Sequence, residues 1–177
     1  MPAVIDATPG GDSANSYCGV EEAQEYHDSR LNSTTWDTAS PDLQARALIT
    51  ATRLLDEHME WLGAPTTYEQ ALCWPRIAAL DTEGYLYDHL GREIEIDEIP
   101  SKLKQATAEF ARFLLEGDRT ADQTEGIAGV TVGSVGVQFN QSKPAQRKVI
   151  PDAVFEMIGL WGEPVYRNSG MVNLVRA

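Results

Sequence analysis

Apolar residues recur at helical spacing in four stretches of this chain and alternate at strand spacing in one. Val20, Ala23, Tyr26, His27 and Arg30 follow a period of three to four residues with Glu21 and Glu22 in the first turn, which predicts a short helix over Val20 to Leu31. Ser40 followed by Pro41 is a strong helix start. The stripe Leu43, Ala47, Leu48, Ala51, Leu54, Leu55, His58, Met59 and Leu62 then predicts a central helix ended by Gly63. Pro100 and Ser101 open a third helix through Leu103, Ala106, Thr107, Phe110, Phe113 and Leu114 to Gly117, expected to pack on the central one. A last short helix is expected from Pro151 to Trp161, with Val154, Phe155, Ile158 and Trp161 on one side. Val130, Val132, Val135, Val137 and Phe139 instead alternate around Gly133 and Ser134, the mark of a β-hairpin at about 127–140. An isolated hairpin is marginal in water, so it must lean on the helices or on another subunit.

The connections are as distinctive as the elements. Residues 1–15, rich in Gly, Pro, Ala and Asp, read as a flexible arm, and Thr34 to Ser40 as a polar link with Trp36 its one large apolar anchor. Ile77 to Ile99 mixes Gly84, Gly91 and seven acidic side chains and reads as a long loop with at most short strands. Gln70 to Arg76 forms a corner: Pro75 lacks a backbone donor and pushes Trp74 to an extended conformation, while Arg76 offers a planar fork of donors suited to a carboxylate or to a row of helix-end carbonyls. Ser142 to Lys148 is a polar, basic linker. The final residues, 162–177, hold Val165, Tyr166, Met171, Val172, Leu174 and Val175, too apolar for a solvated tail and too broken by Pro164 and Gly170 for a helix. Two readings stand for them, an extended segment laid on another molecule or one packed on its own domain.

The fold class is therefore mainly α, a small helical bundle over residues 16–161 with a β-hairpin and an extended C-terminal tail. A length of 177 residues and a hydrophobic content of 42% suit one domain with a core, and no apolar run approaches the ~18 residues of a membrane span. Neither a leader peptide nor membrane association is expected. Cys18 and Cys73 are too few for a disulfide framework and too far apart for a zinc pattern.

Charge narrows the partners. Residues 1–99 carry a balance of −14 and residues 100–177 one of +1, within a net −13. Phosphate binding requires a basic stripe, and only Lys102 with Lys104, and Lys143 with Arg147 and Lys148, provide small basic clusters. An acidic front keeps the chain soluble and repels DNA, or meets a basic face on a partner.

Catalytic patterns are missing from the sequence. The glycines from Gly126 to Gly136 lie in strand-like sequence with no following Lys and Ser or Thr to complete a phosphate loop. His27, His58 and His89 stand far apart, Glu93, Glu95, Asp97 and Glu98 lack the ligand order of a calcium loop, and Ser13, Ser16 and Ser134 have no nucleophile elbow around them. Neither enzymatic activity nor a cofactor is expected.

One combination of residues is shared with a known group. Ser16 and Tyr17 leading into Glu22, Ala23 and Tyr26; Ala47, Leu48, Ala51, Thr52, Leu54, Leu55 and Asp56; Trp61 and Gly63; Gln70 through Arg76; Ile99 and Pro100; and Val132, Gly133 and Ser134 resemble a family of small proteins encoded beside the portal and capsid genes of tailed bacteriophages. The likeness covers about residues 15–160. Members carry the label DnaT-like single-stranded DNA-binding protein, while their gene position and helical architecture are similar to those of head-to-tail connector, or adaptor, proteins. The connector likeness implies a ring of twelve copies in the virion neck, assembled in the bacterial host cytoplasm. Its partners would be the portal, neighbouring copies and a tail or neck-completion protein, with double-stranded DNA passing through unbound. Val132, Gly133, Ser134 and Val135 of the hairpin and Val165, Tyr166, Met171, Val172 and Leu174 of the tail are then the candidate contacts, and Trp74, Pro75 and Arg76 a structural corner. The label implies the alternative, single-stranded DNA binding through Lys102, Lys104, Lys143, Arg147 and Lys148.

Overall fold

A computed structural model describes residues 2–78, 86–120, 129–132, 135–138 and 148–165. Its elements are α1 (Val20–Asp28), α2 (Thr34–Asp37), α3 (Pro41–His58), β1 (Met59–Trp61), β2 (Ala64–Pro65), β3 (Arg76–Ile77), α4 (Ser101–Glu116), β4 (Gly129–Val132), β5 (Val135–Gln138), α5 (Asp152–Ile158) and β6 (Gly162–Pro164). The architecture is mainly α with a β-hairpin. The two long helices, α3 and α4, pack on each other, and α1, α2 and α5 lean on α4.

The helices begin where local chemistry asks them to. The Ser40 hydroxyl accepts the Leu43 N–H with Pro41 in the first turn of α3, and the Glu22 carboxylate reaches back to accept the Gly19 N–H at the start of α1. The stripe of α3 buries Leu48, Ala51, Leu54 and Leu55 against Leu103, Ala106 and Phe110 of α4 in one continuous core. Each fully buried Leu or Phe there contributes roughly 1.5–3 kcal/mol of transfer free energy.

The central helix is shorter than its apolar stripe. It stops at His58, and Met59–Trp61 leaves it as β1, paired antiparallel with β6 in the register Met59 to Pro164, Glu60 to Glu163 and Trp61 to Gly162. Gly162 permits that approach, since a Cβ there would lie 2.6 Å from the Glu60 carbonyl oxygen. The start of the C-terminal segment is thus a strand of its own domain, as one of the two readings had it, and Val165 continues it by donating its N–H to the His58 carbonyl. The polar link around Trp36 is also more ordered than expected: it forms the short helix α2, which buries Trp36 completely.

Residues 2–16 form no helix or strand, as their composition implies, but they are fastened rather than loose. The Asp6 N–H donates to Asn15 Oδ1, Asn15 Nδ2 to the Val4 carbonyl, and the Asn15 N–H to the Asp6 carbonyl, folding the segment on itself. The Ala3 N–H then reaches Asp42 at the start of α3 at 2.7 Å. In the loop after β3, Tyr87 and Glu93 form an isolated antiparallel bridge around a turn in which Asp88 accepts the Leu90 and Arg92 N–H groups.

The expected hairpin is present as β4 and β5, with Val130 opposite Val137 and Val132 opposite Val135. In sequence the hairpin lies between α4 and α5. Arg119, just after α4, holds the chain that enters α5, donating from Nε to the Val149 carbonyl at 2.9 Å and from Nη2 to the Lys148 carbonyl at 2.7 Å.

Candidate functional site

The corner at Trp74, Pro75 and Arg76 is a buried structural junction. Trp74 is 1% exposed and meets Trp61 and Trp161 edge-on, with ring centroids 5.9 and 5.6 Å away, so β1, the corner and the turn between α5 and β6 share one aromatic cluster. The Trp161 Nε1–H donates to the Tyr87 carbonyl and draws the acidic loop onto this cluster. The Trp74–Pro75 peptide bond is cis. Of the two partners suited to Arg76, it takes carbonyls, though those of a strand end and its turn rather than of a helix. Nε donates to Leu62, Nη1 to Cys73, and Nη2 to Trp61 and Gly63. Burial holds the guanidinium below its usual pKa.

Two carboxylates that the sequence did not single out as sites organise the interior. Asp56, on α3, accepts the Tyr17 hydroxyl and the Cys73 N–H, tying the segment before α1 to the corner. Burial raises its pKa despite those donors, and burial followed by the Asp56 charge raises that of Tyr17. Glu109, on α4, is 2% exposed and accepts from Arg30 Nη2 at 2.8 Å, Arg112 Nη2 at 2.9 Å and the Tyr26 hydroxyl at 3.3 Å. Arg112 also reaches Glu116. A polar residue inside an otherwise apolar helix face was the available signal for both.

His27, one of the three widely separated histidines, is fully buried. It stacks on Trp36, and its Nε2 lies 3.1 Å from the Ala108 carbonyl, which can only accept, so Nε2 carries the proton. Burial lowers its pKa. His89 and the acids Glu93, Glu95, Asp97 and Glu98 are exposed, and among the described residues no three His, Cys, Asp or Glu side chains are arranged to hold a metal. Both cysteines are free thiols, and no helix among the described residues is long and apolar enough to cross a membrane.

Two of the three described basic candidates are paired: Lys104 with Glu22 at 2.7 Å and Lys148 with Asp152 at 2.6 Å, while Lys102 is partly buried. Lys143 and Arg147 lie outside the described residues. All four tryptophans and Phe110 are buried, so they provide no stacking platform. The exposed tyrosines Tyr68 and Tyr87 each stand beside an acid, Glu69 and Asp88.

Of the candidate contact residues, Val132 and Val135 close the hairpin register and Val165 lies 38% exposed just past β6. Gly133, Ser134, Tyr166, Met171, Val172 and Leu174 lie outside the described residues. Among the described residues no nucleophile, base and oxyanion donor come together.

No curated protein and no solved structure matches the chain. The sequence profile of one family, described as "Putative DnaT-like ssDNA binding protein", matches residues 1–177. With the whole chain covered, the protein belongs to that DnaT-like family.

Proposed function

We propose that the chain is a structural adaptor of the tailed-phage neck, one subunit of a ring of twelve copies that sits beneath the portal and joins the capsid to the tail. The observation that carries this reading is a two-stranded ribbon, β4 with β5, on an acidic chain whose four tryptophans are spent on its core. A body of net charge −13 around a channel leaves duplex DNA free to slide. The ribbon and the segment beyond Val165 supply contacts to the portal, to neighbouring copies and to the next neck protein.

The family description favours a second reading, single-stranded DNA binding. Phosphates would then have to compete with Glu22 and Asp152 for Lys104 and Lys148. One preparation tests both. Electron microscopy of the protein mixed with purified portal is expected to give added ring density, and fluorescence anisotropy with a labelled oligothymidylate at low salt no saturable binding. Binding that falls steeply with salt and is lost on reversing Lys102, Lys143 and Arg147, without a ring, replaces the adaptor with the DNA-binding reading.

A further inference from the structure

The ribbon pairs Val130 with Val137 and Val132 with Val135. Among the described residues no third strand joins either outer edge. Soluble proteins guard such edges with charge, proline or a bulge. Here neither strand contains a charged residue or proline, and the pairing runs through four successive residues without a bulge.

Charge identifies the occupant. From Gly126 to Ser142 the chain has no charged side chain, in a molecule of net charge −13. Two copies repel through their acidic bodies, and that repulsion is least where an uncharged segment makes the contact. A basic partner would instead be drawn to the acidic front and gain nothing from a neutral edge. The two open edges also differ, one belonging to β4 and the other to β5. Joining β5 of one copy to β4 of the next is a heterologous contact, antiparallel under rotation, and contacts of that kind close into rings.

We infer that the ribbons of neighbouring copies join edge to edge, β5 of one against β4 of the next, in a continuous antiparallel band that forms the seam between subunits. The seam rests on the ring proposed above, since strand pairing alone does not set the copy number.

The test uses full-length chains carrying Cys73→Ala, one with Val130→Cys on β4 and one with Val137→Cys on β5, mixed with purified portal and treated with a short bis-maleimide. These two positions are level across the ribbon, so a rotated neighbour presents them within reach of the linker. Circular dichroism first confirms that each variant is folded. The expected result is a 130-to-137 product at least ten-fold above either self-linked product. Self-linked chains alone, or no interchain product, overturn the seam. Electron microscopy of the same sample separates the two proposals: a ring without the mixed link removes the seam and leaves the adaptor, while the mixed link without a ring keeps strand pairing and removes the adaptor.

Discussion

Replacing Arg76 by Met keeps most of the side-chain volume and removes every donor. Four backbone carbonyls, those of Trp61, Leu62, Gly63 and Cys73, then lose the group that gathers them. A hydrogen bond to a charged group is worth roughly 1.5–3 kcal/mol, but the four do not add, because water reaches the partly buried carbonyls and the guanidinium no longer has to be desolvated. A net loss of about 3 kcal/mol is expected, which at ~2–4 °C per kcal/mol for a chain of this length lowers the melting temperature by roughly 6–12 °C. Arg76→Lys, a single point charge that cannot reach all four oxygens, should fall about halfway. Urea unfolding and calorimetry measure both. Hydrogen exchange adds a local readout, since protection should drop first at the Leu62 and Thr66 amides, which donate to Trp161 and Pro75. Arg76→Met melting within 2 °C of the unmodified chain, roughly the effect of a single 1 kcal/mol change, with Leu62 and Thr66 still protected, would refute the junction as a source of stability.

Three further outcomes are expected. His27 has its folded pKa below 6.5, so stability is complete above that pH and declines as the pH falls through the folded value; urea midpoints measured against pH should lose this acid-side slope in His27→Asn. Cys18 is buried with its thiol pushed up to about 12, whereas Cys73 is half-buried at about 11, so an aromatic disulfide reagent at mildly alkaline pH should label Cys73 first and Cys18 only on unfolding, as peptide mass mapping would resolve. Gly63 has a φ of +73°, and a Cβ there would lie 2.0 Å from the Ile77 carbonyl oxygen, so Gly63→Ala should cost about 3 kcal/mol by chemical denaturation; a cost under 1 kcal/mol would mean that β2 and β3 shift freely.

The starts of the helices were legible because their signals are local: Ser40 with Pro41, and Glu22 reaching back to Gly19, act within one turn. The end of α3 was not. Leu62 keeps the helical period, but Met59–Trp61 is captured by Gly162–Pro164, about a hundred residues away, and nothing near Met59 announces that partner. The alternation of valines around Gly133 and Ser134 made the hairpin legible, and its register comes from the structure. Arg76 was legible as a donor fork but not in its choice of carbonyls, which depends on where β1 turns into β2. Glu109 was passed over because one acid in a helix ordinarily faces water, and only the packing of α1 on α4 brings Arg30 to it.

The clasp made by Arg119 has a consequence for how such chains can vary. By holding the carbonyls of Lys148 and Val149, it fixes the distance between the end of α4 and the start of α5 whatever lies between them. Insertions and deletions between residues 120 and 147 therefore need not re-register the helices. A lineage could lengthen or shorten its sequence there while inheriting the same body.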